Sequence, residues 1–421
     1  MPDARPNVVI IGAGFGGIEA ARALRRAPVN VTLIDRQNHH CFQPLLYQVA
    51  TAALSPADIA WPIRNILRGQ DNVTVLMAEV VGVNTAERRV MLAGADPVAY
   101  DTLVIATGAT HSYFGRDEWA QFAPGLKRIV DATRIRRNIL LAFERAELTY
   151  DEAERKRLLT FAIVGGGATG VEMAGAIAEI ARLTLLKDFR RIDPSSARIV
   201  LIEAGPRILP AFPQDLSDYA ARSLARMGVE VKTSTRVTSC DSRGADLDQG
   251  RLDANTVIWA AGVKASPAAE WIGVEADRAG RVVVGPDLTV PGKPEIFVIG
   301  DTALARGTDG SAAPGVAPAA KQMGKHVGKL IAARLESRSL PPFRYRHPGD
   351  LATIGRLAAV VQFNRLHLTG FIGWLFWSVV HIYFLIGLRY RFLVAFMWLW
   401  DFITFHRGAR LITEVPPQQK S

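Results

Sequence analysis

Two glycine-rich turns constrain this chain more than any other feature. The first closes the apolar run Val8-Val9-Ile10-Ile11 with Gly12-Ala13-Gly14-Phe15-Gly16-Gly17. The second closes Phe161-Ala162-Ile163-Val164 with Gly165-Gly166-Gly167-Ala168-Thr169-Gly170. In both, G-x-G-x-x-G ends an apolar strand and opens an alanine-rich helical stretch, the context in which the pattern binds a dinucleotide. The first glycine allows the tight turn, the second lets the backbone approach a pyrophosphate, and the third packs helix on strand. Phosphate charge then falls on the free N–H groups at the helix start. Each turn is followed by another hydrophobic strand ending in an acid, Val31-Thr32-Leu33-Ile34-Asp35 and Arg198-Ile199-Val200-Leu201-Ile202-Glu203. A carboxylate at that point accepts hydrogen bonds from ribose hydroxyls. Two such units in one chain point to an electron-transfer pair, a flavin that stays and a nicotinamide that visits. The fold class is therefore α/β, with two Rossmann-like dinucleotide-binding domains.

The 421 residues leave room for two to three domains. The two cysteines, Cys41 and Cys240, are far apart and form no disulfide framework, C-x-x-C or zinc pattern. No metal site is expected. The first strand starts almost at once, so no leader peptide is expected and the chain should face the cytosol. A net charge of +10 calls for an anionic partner. No nucleic-acid motif is present, so nucleic acid is excluded and the C-terminal region decides for anionic lipid.

Between the turns, a helix is expected over Gly16 to Arg26, and Val73 to Val83 and Arg89 to Leu92 read as strands of a meander. Residues 39–56 are apolar without a clean period. Leu103-Val104-Ile105-Ala106-Thr107-Gly108 is a buried strand ending in small residues, where a backbone can approach a ligand. Thr256-Val257-Ile258-Trp259-Ala260-Ala261-Gly262 repeats that pattern. Residues 131–157 are charged and helical, and the second turn opens a long helix to about Leu186. Glu203 therefore lies beyond the usual spacing of about 20 residues, which a longer crossover accommodates. Glu295 to Asp301 is another buried strand, and a helix over Ala317 to Leu335 follows with Pro318 near its start.

The tail differs in character. Leu368 to Leu388 carries no charged side chain apart from His381 and is long enough to span a bilayer. The next apolar run, Phe392 to Phe405, is too short to return. An interfacial hairpin with its aromatics in the lipid boundary and arginines at the headgroups suits both runs, Trp374, Trp377, Trp398 and Trp400 forming the belt. A single span, a core hairpin and a dimer interface are the alternatives.

The chain resembles the type II (non-proton-pumping) NADH:quinone oxidoreductases, monotopic flavoproteins of the two-dinucleotide-binding-domain superfamily. The resemblance covers about residues 7–412. It rests on the two turns, Phe42-Gln43-Pro44-Leu45-Leu46-Tyr47-Gln48-Val49-Ala50, Ala106-Thr107-Gly108, His111-Ser112-Tyr113-Phe114-Gly115, Glu203-Ala204-Gly205-Pro206-Arg207, Gly300-Asp301 and the aromatic tail ending Arg407-Gly408-Ala409-Arg410. It implies an FAD-binding domain over 1–114 and 266–340, an inserted NADH-binding domain over 115–265, and a membrane-association region over 341–421.

In that family picture Gly12, Gly14 and Gly17 hold the FAD pyrophosphate and Asp35 the adenosine ribose. Asp301 binds the ribityl chain, and Thr107 and Gly108 pass beside the flavin. Gly165, Gly167 and Gly170 receive NADH, Glu203 its ribose, and Glu172 lies near the nicotinamide. The family's Ala-Gln-x-Ala-x-Gln quinone pattern reads here as Ala317-Pro318-Ala319-Ala320-Lys321-Gln322. Pro318 replaces the first glutamine, which leaves Gln322 and Lys321 as catalytic candidates, with Gln48 and Tyr47 behind them. The resemblance further implies a membrane quinone as acceptor, a homodimer, and a peripheral position on the cytoplasmic face of the inner membrane. A sulfide:quinone oxidoreductase or a disulfide reductase would need a cysteine pair, and a ferredoxin-type reductase would not need the tail. A related reductase with another acceptor and a non-catalytic NADH-binding flavoprotein are the remaining readings.

Overall fold

A computed structural model describes residues 5–307, 310–385, 388–404 and 409–412. Its helices include α1 (Phe15–Ala23), α2 (Ala168–Glu179), α3 (Ala317–Leu335), α4 (Gly370–Phe384) and α5 (Leu388–Thr404). Packing divides the chain into two compact units. One holds Met1–Cys41, Ala60–Thr110 and Val263–Pro348; the other holds Phe42–Ile59, His111–Gly262 and Gly349–Ser421.

The first unit is built on a six-stranded sheet. Its order is Thr289–Val290, Lys293–Val298, Thr102–Ile105, Asn7–Ile11, Asn30–Asp35 and Val73–Met77. All neighbours run parallel except the edge pair Thr289–Val290 and Lys293–Val298. Parallel strands need crossovers, and these cover both faces of the sheet. Val9, Ile10, Leu103, Val104 and Phe297 are accordingly buried. On one face α3 lies against α1 so closely that a Cβ on Gly324 would sit 2.1 Å from the Gly16 carbonyl oxygen. That approach sets the start of α3 beside the first glycine turn.

The stretch Val73 to Val83 is not a single meander strand. Val73–Met77 extends the parallel sheet, and Val80–Asn84 starts a separate three-stranded antiparallel sheet with Arg89–Leu92 and Ala95–Ala99. The division falls after Ala78, whose N–H makes the last rung to the Asp35 carbonyl at 2.9 Å.

The second unit repeats the plan. Its parallel sheet runs Val229–Lys232, Arg198–Ile202, Thr160–Val164, Thr256–Trp259. A three-stranded antiparallel sheet, Val237–Asp241, Gly244–Leu247 and Gly250–Asp253, precedes Thr256–Trp259, as the one over Val80–Asn84, Arg89–Leu92 and Ala95–Ala99 precedes Thr102–Ile105. The helix after the second turn is shorter than expected. Its α-helical part ends at Glu179, and a π-helical turn over Ile180–Thr184 and a 3₁₀ turn over Pro194–Ser196 complete the long crossover to Glu203. The charged region 131–157 is two helices, Ile129–Leu148 and Glu152–Leu158; Asp151 caps the second by accepting from the Ala153 and Glu154 N–H groups.

From Gly349 onward the chain packs with this second unit. A three-stranded antiparallel sheet, Asp350–Gly355, Ala358–Phe363 and Leu366–Thr369, precedes the helices. It lies against α2, where a Cβ on Gly175 would fall 1.6 Å from the Ile354 carbonyl oxygen. Leu368 to Leu388 is not one helix: α4 starts after the strand and ends at Phe384, and α5 follows. Trp377 of α4 stacks on Trp398 of α5 at 5.3 Å. Among the described residues no helix is long and apolar enough to cross a membrane. Phe371, Ile372, Leu375 and Val379 of α4 and Phe392, Phe396 and Trp400 of α5 are exposed. Arg407 lies outside the described residues; Arg410 pairs with Asp188.

Candidate nucleotide sites

The two glycine turns have matching geometry. Gly12 (φ +100°) and Gly165 (φ +112°) take backbone conformations that L-side chains rarely adopt. Their N–H groups bond the Ile34 and Ile202 carbonyls at 2.7 and 2.8 Å, tying each turn to the strand that ends in its acid. A Cβ on Gly17 or Gly170 would lie 1.8 Å from the carbonyl oxygen of Gly12 or Gly165, so helix and strand touch backbone to backbone. At Gly14 and Gly167 a Cβ would meet nothing within 4 Å. These two positions are the N-caps of α1 and α2, and neither helix start carries a side-chain cap. Each turn is thus an open cradle of helix-start N–H groups, fit for a pyrophosphate.

The acids stand where the strands deliver them. Asp35 accepts from the Ala13 and Gln37 N–H groups at 2.7 and 2.8 Å. Glu203 accepts from Gly166 and Gly205, both at 2.6 Å. Burial raises the Asp35 carboxyl above its usual range, and the two N–H groups oppose that rise. Arg207, two residues past Gly205, donates to the Phe212 and Pro210 carbonyls at 2.9 and 3.0 Å and so closes its own loop.

Within the first unit, Thr107 bonds the Ser266 hydroxyl, and Thr302 donates to the Gly108 carbonyl at 3.0 Å. Asp301 lines a cavity of about 110 Å³ with Ala109, Ala265, Arg281, Gly300 and Gly315. Small residues here leave space, and one carboxylate and one guanidinium supply the polar contacts. A carboxylate and a guanidinium beside small residues can hydrogen-bond the hydroxyls of a flavin's side chain.

The remaining candidates carry structural bonds. Glu172, on α2, is half-buried by surface yet densely surrounded, and burial holds its carboxyl well above the usual range. The Thr353 backbone opposes that rise. Seven residues along α2, Glu179 accepts from the Arg356 N–H. With Gly175 between them, they form one helix face that seats the strand Asp350–Gly355. Gln322 donates to the Arg346 carbonyl at 2.8 Å and accepts from its N–H at 3.0 Å, so its amide grips a backbone segment. Lys321 holds its Nζ 5.1 Å from the Phe15 ring centroid. In the second unit Gln48 donates to the Tyr47 hydroxyl at 2.8 Å and accepts from Trp398 Nε1 at 2.9 Å. Cys41 and Cys240 are free, and burial pushes both thiols up to about 12.

Four partners were not legible in the sequence: Ser266, Thr302, His40 and Leu209. His40 Nδ1 meets the Ala13 carbonyl at 2.8 Å, and the Leu209 N–H meets the Gly166 carbonyl at 2.7 Å. All four act across separations that no local pattern records.

Comparison with known proteins agrees with this geometry. Residues 6–324 match the pyridine nucleotide-disulphide oxidoreductase family. Within that class, a type II NADH:quinone oxidoreductase of Mycobacterium tuberculosis, Ndh, is 44% identical, over 98% of this chain and 92% of that protein. A second from the same organism, NdhA, is 45% identical, over 97% and 90% respectively. The structure of NDH2 from Plasmodium falciparum in complex with NADH superposes with a TM-score of 0.88 at 23% identity, covering 97% of this chain and all of that one, and so shares the fold. The chain belongs to the type II NADH:quinone oxidoreductases.

Proposed function

We propose that this chain is a non-electrogenic, FAD-dependent NADH dehydrogenase of a respiratory chain that reduces a membrane quinone. The observation that carries this is the paired cradle: two open, uncapped helix starts, each closed by an acid on the neighbouring strand. FAD, when bound, would supply the redox chemistry: hydride acceptance from NADH and two-electron reduction of the acceptor. Gly12, Gly14 and Gly17 form the pyrophosphate cradle for FAD, Asp35 takes its adenosine ribose, and Asp301 its ribityl chain. Thr107 and Gly108, tied to Ser266 and Thr302, keep the strand end fixed beside it. Gly165, Gly167 and Gly170 receive NADH, and Glu203 takes the ribose and repels a 2′-phosphate. Arg207, the cation nearest in sequence, has its guanidinium bonded to two carbonyls of its own loop.

Glu172 is assigned a place near the nicotinamide, with its carboxyl raised well above the usual range by burial. For the quinone, Pro318 removes one side-chain contact and the Gln322 amide is already bonded twice. Lys321 is therefore the stronger head-group candidate on α3. The protein acts as a homodimer on the cytoplasmic face of the inner membrane. Support for lipid docking is the exposed apolar face of α4 and α5 in a chain of net charge +10.

The test is anaerobic. NADH is added to the yellow protein, bleaching is followed, and then a short-chain quinone is added. Bleaching followed by recovery with quinone, with NADPH far slower, is the expected outcome. No bleaching sinks the assignment.

A further inference from the structure

We propose that His40 is a positioning residue for the flavin, holding the Ala13–Gly14 peptide of the first turn in its ligand-ready orientation. This rests on the reading that the first turn carries FAD. Ala13 stands between the first two glycines. Its N–H donates to Asp35 at 2.7 Å, and its carbonyl accepts from His40 Nδ1 at 2.8 Å. A carbonyl only accepts, so Nδ1 carries the proton and the tautomer is set. C=O and N–H of one peptide unit point in opposite directions. Fixing the Ala13 carbonyl on His40 therefore aims the Gly14 N–H the other way and stops the unit from turning its oxygen toward a phosphate.

The second turn supplies an internal control. Gly166, the equivalent middle residue, donates to Glu203 at 2.6 Å, and its carbonyl accepts from the Leu209 backbone N–H at 2.7 Å. Leu209 adopts φ +48° there. Both turns clamp the middle residue at both ends, by different chemistry. The requirement thus belongs to the turn and not to the packing of one histidine. His40 is 2% exposed and set edge-on to Phe15 at 5.0 Å. Burial and the nearby Lys321, Arg22 and His39 lower its pKa to about 4, so it stays a neutral donor at working pH.

The experiment compares His40→Leu and His40→Phe, which lack the donor, with His40→Asn, whose amide nitrogen sits at the same bond distance from Cβ as Nδ1. FAD dissociation is read by flavin fluorescence, NAD⁺ affinity by calorimetry, and folding by thermal melting. The donor-less variants should bind FAD about tenfold more weakly, with NAD⁺ affinity unchanged, and His40→Asn should recover most of the loss. If either donor-less variant holds FAD as tightly as wild type, the proposal fails. It fails also if His40→Asn is no better than they are, or if FAD and NAD⁺ affinity fall together. A wild-type protein that binds no FAD overturns the flavin assignment itself, and the proposal with it.

Discussion

Replacing Gly167 by alanine should separate nucleotide binding from folding. The backbone there, at φ −71° and ψ −178°, is open to any L-residue, and the added methyl meets nothing within 4 Å. Stability should be unchanged, or higher by at most about 1 kcal/mol through the reduced freedom of the unfolded chain. The methyl instead fills the side from which a pyrophosphate reaches the start of α2. A hydrogen bond to a charged group contributes about 1.5–3 kcal/mol. Losing one such bond lowers kcat/KM for NADH about 10- to 100-fold. Gly170→Ala is the contrast. Its Cβ would stand 1.8 Å from the Gly165 carbonyl oxygen, so α2 must withdraw from its strand. Overpacking of that kind costs about 3 kcal/mol or more, which in a domain of this size lowers Tm by roughly 6–12 °C. Thermal melting by tryptophan fluorescence and stopped-flow bleaching by NADH read the two effects separately. A Gly167→Ala protein that keeps wild-type kcat/KM for NADH, or melts well below wild type, refutes the reasoning.

Glu203→Gln offers one acceptor to two N–H groups and removes the charge that repels a 2′-phosphate. KM for NADH should rise about tenfold and the gap to NADPH should narrow; undiminished rejection of NADPH in steady-state assays would count against the role. Glu172 has a folded-state pKa raised above its unfolded value. Between those values the native state binds the extra proton, so this group's contribution to stability falls as pH rises above about 4.5. Glu172→Gln keeps the size of the side chain without titrating, and its Tm advantage over wild type should grow from pH 5 to pH 8. A constant gap would show the carboxyl to be ordinary. Ile372→Glu with Phe396→Glu, both exposed on the tail helices, should weaken cosedimentation with anionic phospholipid vesicles. Reduction of a short-chain quinone should be unaffected, and vesicle binding equal to wild type would remove the tail from the lipid contact.

What could be read from the sequence is what lies within one strand–turn–helix unit. Gly12, Gly14, Gly17 and their counterparts declare themselves because each answers a local steric demand, the φ of the turn or the approach of helix to strand. Asp35 and Glu203 were legible because parallel register places the end of the next strand beside the turn. Glu203 stands beside its turn despite its spacing, since the π-helical turn and the 3₁₀ turn lengthen the crossover without moving the strand. The sheet over 350–369 was hidden. Its strands are short, Ala352, Ile354 and Val360 are buried against α2 or the tail, and no alternation as clear as the glycine pattern marks them. Gln322 carried a family position, but a sequence cannot register that its amide is bonded to Arg346, twenty-four residues away.

The duplication explains why His40 and Leu209 escaped notice and why they matter. Both units fold the same strand, turn, helix and strand, so both present the middle residue of the turn with the same two exposed backbone groups. The acid meets the N–H in each, because strand register puts it there. The carbonyl has no partner within the repeated unit and must find one from the segment that follows the acid. In the second unit that segment doubles back, with Arg207 bonded to Pro210 and Phe212, and delivers the Leu209 N–H. In the first unit the segment runs out as the strand His39–Cys41, paired with Ala60–Pro62, and presents a side chain instead. A backbone donor leaves no trace in residue type, and a histidine in an apolar stretch looks like core. The requirement becomes visible only when the two turns are laid side by side and the same carbonyl is found held in each.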